Sequence, residues 1–420
     1  MRLSKALVAK AADALSQLLA FSEPADERLS RFFRAHHELG QQDRAFVAET
    51  VFAVLRRLRS LELAAGGRSP RLLVLAALVR LQGVSARALQ GIVAQEEVPA
   101  LSDLRRSRTE DLAPAVRADL PDWLWERLVQ EQGAEDAMRR AQGLLNPAPL
   151  DLRVNLARTT REAVLDTLRR DGIEGEPTPW SPAGVRLAGK PAINRHALFR
   201  DGLVEVQDEG SQLLAWLLAP RRGEMIADYC AGAGGKTLAA AMLMRGTGRI
   251  YAMDVSAKRL AALSPRAARA GVTNVHPVVL SGDNDARVKR LAGKLDRVLV
   301  DAPCSGFGTL RRNPDLKWRH GPGAIVELAA KQARILDAAA GLVKKGGRLV
   351  YATCSILREE NEAIAAAFAA RHAGFLPLSC GELLAAQRIE LHTGTGEYLR
   401  LWPDLHGTDG FFAAAFERNP

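Results

Sequence analysis

Apolar positions along the first 140 residues recur at helical spacing. Two sets three or four positions apart show it: Leu7, Ala11, Leu15 and Leu18, then Val47, Val51, Val54 and Leu58. The apolar run 71–81 is typical of a buried helix at the centre of a bundle. The pattern therefore predicts an all-α domain over residues 1–140.

The pattern changes after residues 146–149, where two prolines in three positions neither continue a helix nor enter a central strand. Residues 150–156 alternate like a half-buried strand, and residues 161–170 form an amphipathic helical pattern. A small α+β module is predicted over 146–205. Arg153 and Asn155 alternate with apolar neighbours, so they either contact RNA or face solvent.

Beyond residue 206 the apolar segments are short, and each ends at a polar or small residue. Five positions mark these ends: Asp228, Asp254, Asp283, Asp301 and Cys354. Strands alternating with helices favour a parallel, Rossmann-like α/β sheet, in which the carboxyl ends of neighbouring strands line one crevice. We predict a catalytic domain over 206–420 with its site in that crevice.

A loop of small residues follows the first of these strands. Its members, with the lysine that ends it, are Cys230, Ala231, Gly232, Ala233, Gly234, Gly235 and Lys236. A Walker A loop would need Gly at position 230, and a GxGxxG fingerprint starting at Gly232 would need Gly at position 237, so neither phosphate-binding template fits. Backbone amides at a helix starting near Thr237 would instead face a ligand close to the main chain.

The next two strand ends complete a nucleoside pocket. Asp254 lies about 20 residues past the glycines, where an α/β fold places the acid that binds a ribose. Asp283 is placed to bond an adenine amino group. A nucleoside with an amino-acid tail fits this arrangement better than a pyrophosphate, which predicts S-adenosylmethionine as the cofactor.

Two cysteines, Cys304 and Cys354, follow adjacent strands beside that pocket. A thiolate that adds to C6 of cytosine makes C5 nucleophilic enough to accept a methyl group, and a second thiol can assist release of the product. Lys236 is a candidate to stabilise the thiolate, and Asp301 to hydrogen-bond the base at N3. Spacing alone leaves open which thiol has which role.

Composition narrows the class of partner. The chain of 420 residues carries a net charge of +10, which favours a polyanionic partner such as RNA. Arg311, Arg312 and Lys317 lie between the two cysteines and could overhang the crevice toward phosphates, or simply be solvated. The four cysteines include no CxxC pair, so neither a disulfide scaffold nor a zinc site is indicated. We expect a cytoplasmic monomer without membrane or metal.

Several blocks resemble the RsmB/Sun/Nop family of RNA 5-methylcytosine methyltransferases. They occur in the family's order: QDEGSQ, DYCAGAGGKT, DAPCSGFGTLRRNPDLKW, YATCSILREENE and WPDLHGTDGFF. The resemblance implies a class I S-adenosylmethionine-dependent methyltransferase fold with an antiparallel strand near the C-terminus. It implies cofactor contacts from residues 230–236, Asp254, Asp283 and Asp301, and it makes Cys354 the nucleophile and Cys304 the release cysteine.

More weakly, residues 42–47 and 51–56 resemble the NusB-like RNA-binding bundle that precedes the catalytic domain in the bacterial small-subunit rRNA enzymes of this family. An RRM-like character is expected for the connecting module. The substrate implied is therefore rRNA. The alternatives are methylation of tRNA or DNA cytosine, and a non-catalytic RNA-binding assembly factor built on a methyltransferase fold.

Overall fold

A computed structural model describes residues 3–85, 87–98, 112–282, 285–391, 394 and 396–420. The chain forms two compact units. One comprises Met1–Pro147 together with Thr309–Pro322, and the other comprises Ala148–Gly308 together with Gly323–Pro420. No helix in these ranges is both long enough and apolar enough to cross a bilayer.

The first unit is helical wherever its secondary structure is described. Its α-helices before residue 147 are Lys5–Leu18, Ala25–Ala35, Gln41–Arg56, Leu58–Ala65, Pro70–Arg80, Pro114–Arg117, Asp122–Gln132 and Ala134–Leu145. The residues predicted to share helix faces are buried in one core, with Leu15, Val47 and Val51 fully enclosed. The helical spacing of apolar residues therefore predicted correctly which side chains of this unit are buried.

The segment Thr309–Pro322, which lies between the two cysteines in sequence, belongs to this helical unit. Its short helix Leu316–Arg319 follows Asp315, whose carboxylate accepts a hydrogen bond from the backbone N–H of Ala25 at 3.3 Å. Trp318 donates from its indole Nε1 to the backbone carbonyl of Leu55 at 3.0 Å. The segment is thereby fastened to the N-terminal helices.

The second unit opens with a four-stranded antiparallel sheet. Its strands are β1 (Leu150–Val154), β2 (Gly175–Pro177), β3 (Gly184–Leu187) and β4 (Val204–Val206), in the order β2-β3-β1-β4. The helix Arg161–Arg170 follows β1, and the short helix Ala197–Arg200 precedes β4. This β-α-β-β-α-β arrangement is ferredoxin-like, as expected of an RRM-like module.

The larger sheet has eight strands within the described ranges. They are β5 (Met225–Asp228), β6 (Arg249–Asp254), β7 (Val275–Val279), β8 (Leu295–Asp301), β9 (Val343–Thr353), β10 (Phe375–Leu378), β11 (Tyr398–Leu401) and β12 (Phe411–Arg418). The order is β10-β12-β9-β8-β5-β6-β7, and β11 pairs with β12. β5 to β9 are parallel, and β12 runs antiparallel between β9 and β10. The class I expectation is confirmed.

Helices cover both faces of this sheet because alternate strand residues point to opposite sides. The helices are Glu209–Leu218, Gly235–Leu243, Ala257–Ala261, Leu263–Ala270, Ala286–Arg290, Pro322–Ala340, Glu362–Arg371, Cys380–Ala385 and Pro403–His406. Val298 and Val300 pack in the core beneath Leu336, whereas Leu299 packs on the opposite side. Burial on both faces fixes where the strands end and therefore where the site lies.

Candidate active site

A cleft of about 530 Å³ opens at the carboxyl ends of the parallel strands β5, β6, β8 and β9. Its lining comes from the loops after these strands and after β7, and from the helices Ala257–Ala261 and Pro322–Ala340. The lining residues are Tyr229, Cys230, Asp254, Val255, Arg259, Leu280, Gly282, Asp301, Ala302, Pro303, Cys304, Lys331, Ile335 and Cys354. A concave site of this size suits a small-molecule ligand.

The loop after β5 bends tightly because two of its glycines adopt positive φ. Gly232 has φ +54° and Gly234 has φ +83°. A Cβ at Gly234 would collide with the side chain of Leu263, and side-chain-bearing residues rarely adopt this φ, so the position favours glycine. The helix Gly235–Leu243 begins directly after this bend. The loop backbone can therefore approach a ligand closely, as a nucleoside cofactor requires.

Asp254 at the end of β6 holds this loop in place. One carboxylate oxygen accepts a hydrogen bond from the backbone N–H of Gly232 at 2.8 Å, and the other accepts from the N–H of Ser256 at 2.7 Å. Asp254 also lines the cleft, where its remaining acceptor capacity can receive a hydroxyl donor. Asp283, predicted to contact the adenine, lies outside the described residues.

Asp228, just below the loop, is a buried acid that does not line the cleft. It accepts a hydrogen bond from the Thr237 hydroxyl at 2.7 Å, which ties the end of β5 to the cofactor-side helix. Burial raises its pKa to about 7, although the bond from Thr237 opposes the shift. The acid therefore contributes to the shape of the loop from below.

The two predicted cysteines meet in the cleft. Sγ of Cys304 lies 3.4 Å from Sγ of Cys354, and the residues come from the loops after β8 and β9. The hydrogen bond to Cys354, together with burial, raises the pKa of Cys304 well above its ordinary value. The raised pKa disfavours a thiolate at Cys304 in this arrangement, and which of the two thiols attacks the base stays a prediction.

Lys236 and Asp301 form an ion pair beside these thiols. Nζ of Lys236 lies 2.7 Å from Oδ2 of Asp301. Burial is the largest single influence and opposes the charge of Lys236, but the attraction and hydrogen bond of Asp301, together with smaller contributions from Cys354 and Asp228, leave the lysine pKa raised.

Cys230, a predicted cofactor contact, also lines the cleft, but its thiol is not suited to be a nucleophile. Burial and the nearby carboxylates of Asp301 and Asp228 raise its pKa well above the ordinary value. A thiol that stays protonated is unreactive. Within the ranges the structure describes, no cluster of His, Cys, Asp and Glu side chains is arranged to hold a metal ion.

Sequence reasoning missed the polar residues beneath the cysteine loops. Glu360 accepts hydrogen bonds from the backbone N–H of Ser305 at 2.8 Å and from the side-chain amide of Gln332 at 2.9 Å. It also accepts from the hydroxyls of Ser305 and Ser355. The available signal was the repeated Cys-Ser dipeptide at the ends of β8 and β9.

The predicted RNA contacts of the small sheet are corrected by burial. Arg153 is 4% exposed, and its guanidinium donates to the side chain of Gln207 and to the backbone carbonyl of Gly235 at 2.8 Å. The Asn155 amide donates to the carbonyls of Gly202 and Ala270, both at 3.1 Å. These side chains join the small sheet to the larger sheet. The prediction of an RNA contact is therefore wrong for Arg153. Both amide hydrogens of Asn155 are already donated within the protein.

The basic residues between the cysteines are also not where they were expected. Arg311 and Lys317 are 5% and 2% exposed, and Lys317 donates to the backbone carbonyl of Arg56 at 2.8 Å. The backbone carbonyl of Arg311 accepts from Nε of Arg56. Their burial within the helical unit makes the prediction of phosphate contacts wrong for these two residues. Arg312 is half-buried, and its role stays a prediction.

The strand order, the glycine loop and the paired thiols define a class I methyltransferase. Residues 215–417 match the model of the 16S rRNA methyltransferase RsmB/F family, and residues 120–194 match the ferredoxin-like domain of RsmF/B-like methyltransferases. The chain is 34% identical to a probable ribosomal RNA small subunit methyltransferase B of Synechocystis sp., over 91% of this chain and 93% of that protein. It is 33% identical to ribosomal RNA small subunit methyltransferase B of Erwinia tasmaniensis, over 90% and 92%.

Solved structures agree. A methyltransferase homologue from Pyrococcus horikoshii is 30% identical, with a TM-score of 0.62 over 73% of this chain and 97% of its own. The protein PH0851 shares the fold across both whole chains, with a TM-score of 0.80 at 24% identity. The chain therefore belongs to the RsmB/F methyltransferase family, and its cofactor is S-adenosylmethionine.

Proposed function

We propose that this protein methylates C5 of a cytosine in small-subunit ribosomal RNA, through a covalent bond between Cys354 and C6 of the base. The observation that carries the proposal is the pair of thiols 3.4 Å apart at neighbouring strand ends of the cleft. The names of the relatives support a ribosomal RNA substrate.

The first step requires a thiolate on Cys354. The ammonium of Lys236 favours that charge, and the Cys304 thiol can donate a hydrogen bond to it. Addition of sulfur to C6 places electron density on C5 and N3. A donor near N3 stabilises this charge, and Asp301, which lines the cleft and pairs with Lys236, can fill that role through a bridging water.

S-adenosylmethionine, when bound by the loop 230–236 and by Asp254, Asp283 and Asp301, supplies the methyl group that C5 takes up. The C5 proton must then leave, and the bond between Cys354 and C6 must break. Once Cys354 is a thioether, the hydrogen bond to Cys354 no longer raises the pKa of Cys304, so Cys304 can release its own proton to water. The Cys304 thiolate can then take up the C5 proton while the C5–C6 double bond re-forms and Cys354 leaves C6 as a thiolate.

Recognition of the RNA should involve regions outside the catalytic cleft. We expect the NusB-like helical domain over 1–140, the RRM-like module over 146–205 and Arg312 to contribute RNA contacts to the catalytic domain over 206–420. The protein is expected to act in the cytoplasm as a monomer without a metal ion.

The test is methyl transfer from labelled S-adenosylmethionine to a transcript of the small-subunit rRNA, with a tRNA pool and a DNA duplex of the same sequence as comparison substrates. Nucleoside analysis should find the label in 5-methylcytidine from the rRNA transcript. Label confined to tRNA or DNA would move the substrate class, and label in another nucleoside would contradict the proposed chemistry. A protein that binds the transcript without any transfer would support the assembly-factor alternative.

A further inference from the structure

Glu360 is a fully enclosed carboxylate that accepts four hydrogen bonds. It ends the short 3-10 helix Arg358–Glu360 and is 0% exposed. Oε1 accepts from the Ser305 backbone and from Gln332, and Oε2 accepts from the Ser305 hydroxyl at 2.5 Å and from the Ser355 hydroxyl. Every donor is thus aimed at one side chain.

Three of the four donor groups belong to the two loops that carry the cysteines, and the fourth, Gln332, lies on the helix Pro322–Ala340. Ser305 directly follows Cys304, and Ser355 directly follows Cys354, with the two hydroxyl oxygens 3.1 Å apart. One carboxylate therefore bonds both loops just behind the two sulfur atoms. Gln332 adds to the same arrangement, since its amide also donates to the backbone carbonyl of Pro303 at 3.0 Å.

A carboxylate is a costly choice for this position. Burying a charge is unfavourable unless hydrogen bonds compensate for lost water, and the donors here are neutral hydroxyl, amide and backbone groups. The choice has one chemical advantage, because a carboxylate is acceptor-only and can receive four donors. A glutamine would turn an NH₂ group toward N–H or O–H donors and could accept fewer of them.

We propose that Glu360 is a positioning residue that holds the thiols of Cys304 and Cys354 within reach of one base. The catalytic consequence rests on the proposed function, whereas the geometric part does not. Losing the carboxylate should therefore let the two loops, and with them the two thiols, move apart.

Glu360→Gln tests the geometry without RNA. Diamide oxidises two neighbouring thiols to a disulfide, taking up two electrons and two protons, and peptide mass spectrometry measures how fast the bond between Cys304 and Cys354 forms. We expect a rate about 10-fold lower than in the wild type. The matched control is Glu362→Gln two residues on, which removes only a partly exposed ion pair with Arg400 and should leave the rate unchanged.

The same variants test the catalytic consequence. Small displacements of reacting groups cost about 10²-fold in rate, so kcat should fall 10- to 100-fold in Glu360→Gln while KM for S-adenosylmethionine stays the same. The covalent protein–RNA adduct should also accumulate, because a misplaced Cys304 releases it slowly. Glu362→Gln should match the wild type in all three measurements.

The outcomes separate the two claims. If Glu360→Gln lowers only the melting temperature while both rates match the control, Glu360 is merely structural and the inference is overturned. If the disulfide forms slowly but no wild-type methyl transfer is found on any substrate, the positioning inference stands and the proposed function falls. Should Glu360→Gln not fold, Ser355→Ala removes one of the four hydrogen bonds that Glu360 accepts. We then expect the rate of disulfide formation and kcat each to fall about 3-fold.

Discussion

Two buried lysines, one in each unit, have opposite electrostatic surroundings. Lys236 lies beside the cleft with a carboxylate oxygen of Asp301 at 2.7 Å, and this attraction raises its pKa despite burial. Lys317 lies in the helical unit, where its hydrogen bond goes to a backbone carbonyl, and burial lowers its pKa to about 7. Burial lowers the pKa of both lysines. Only Lys236 has a carboxylate close enough to raise its pKa again and so favour the charged ammonium.

This difference distinguishes a titratable group whose shifted pKa serves catalysis from one whose shifted pKa only reflects packing. The ion-pair partner of Lys236, Asp301, lines the cleft together with the two thiols, so this pair lies where it can act on a bound ligand. Lys317 is enclosed by helices, and Asp119 contributes only attraction that partly opposes its lowered pKa. A shifted pKa indicates chemistry when the group also faces a cavity.

The largest expected effect is at the nucleophile. Cys354→Ala should lower methyl transfer by about 10³-fold or more, because the other two thiols of the cleft, Cys304 and Cys230, have raised pKa values that disfavour the thiolate. Cys380→Ala is the matched control, since Cys380 is fully buried, does not line the cleft and donates to the backbone carbonyl of Ala413. Equal activity of both variants in the labelled-methyl assay would remove Cys354 from the mechanism.

The two lysines should separate in the same assay. Lys236→Met removes the cation that favours the thiolate and should lower kcat/KM by about 10²-fold. Lys317→Met should change kcat/KM less than 2-fold, as should Lys344→Met, which removes only a partly exposed ion pair with Asp296. A large loss of activity in Lys317→Met with intact folding would show that Lys317 also contributes to catalysis.

Asp228 offers a stability test beneath the cleft. Its pKa is raised from 3.8 to about 7 by burial, so between these values the folded state holds a proton that the unfolded chain has lost. Wild-type stability should consequently fall as pH rises from 4 to 7. Asp228→Asn keeps an acceptor for Thr237 and has no titrating carboxyl at this position. Between pH 4 and pH 8 its free energy of unfolding should therefore rise by about 2–4 kcal/mol relative to that of the wild type. Urea unfolding at several pH values measures the change, and parallel pH profiles would refute it.

Lys317 gives a pH effect of opposite sign and similar size. Its folded-state pKa of about 7 lies below the ordinary 10.5, so the unfolded chain binds the extra proton between these values. Wild-type stability should therefore rise with pH across that window. Relative to Lys317→Met, the wild type should gain about 1–3 kcal/mol between pH 7 and 10 in urea unfolding. No relative gain would show that Lys317 is not buried as described.

The sequence predicted the site better than the surfaces around it. Strand ends could be located because apolar runs stop at Asp228, Asp254 and Asp301, and the order of a parallel sheet brings such ends together. The same reasoning failed at Arg153, because alternation along a strand indicates two faces without indicating what covers each one. Only the three-dimensional packing shows that Gln207 and a loop carbonyl cover that face.

Two further features depend on contacts between distant residues. Nothing local in the segment 309–322 indicates that Trp318 bonds a carbonyl 263 residues away in the helical unit. Glu360 likewise bonds Ser305, 55 residues earlier, and its own neighbourhood in sequence is merely charged. Propensity and periodicity describe neighbours along the chain, so long-range polar contacts of this kind lie beyond them.

If Cys354 and Cys304 act in turn on one cytosine, the covalent protein–RNA intermediate should accumulate when the second thiol is removed. Cys304→Ala, incubated with the rRNA transcript and S-adenosylmethionine, should accumulate a protein–RNA adduct that survives denaturing electrophoresis. Mass spectrometry should find the attached nucleotide on Cys354, and the double variant with Cys354→Ala should form no adduct. An adduct that forms in Cys354→Ala instead, or that maps to Cys230, would contradict the account.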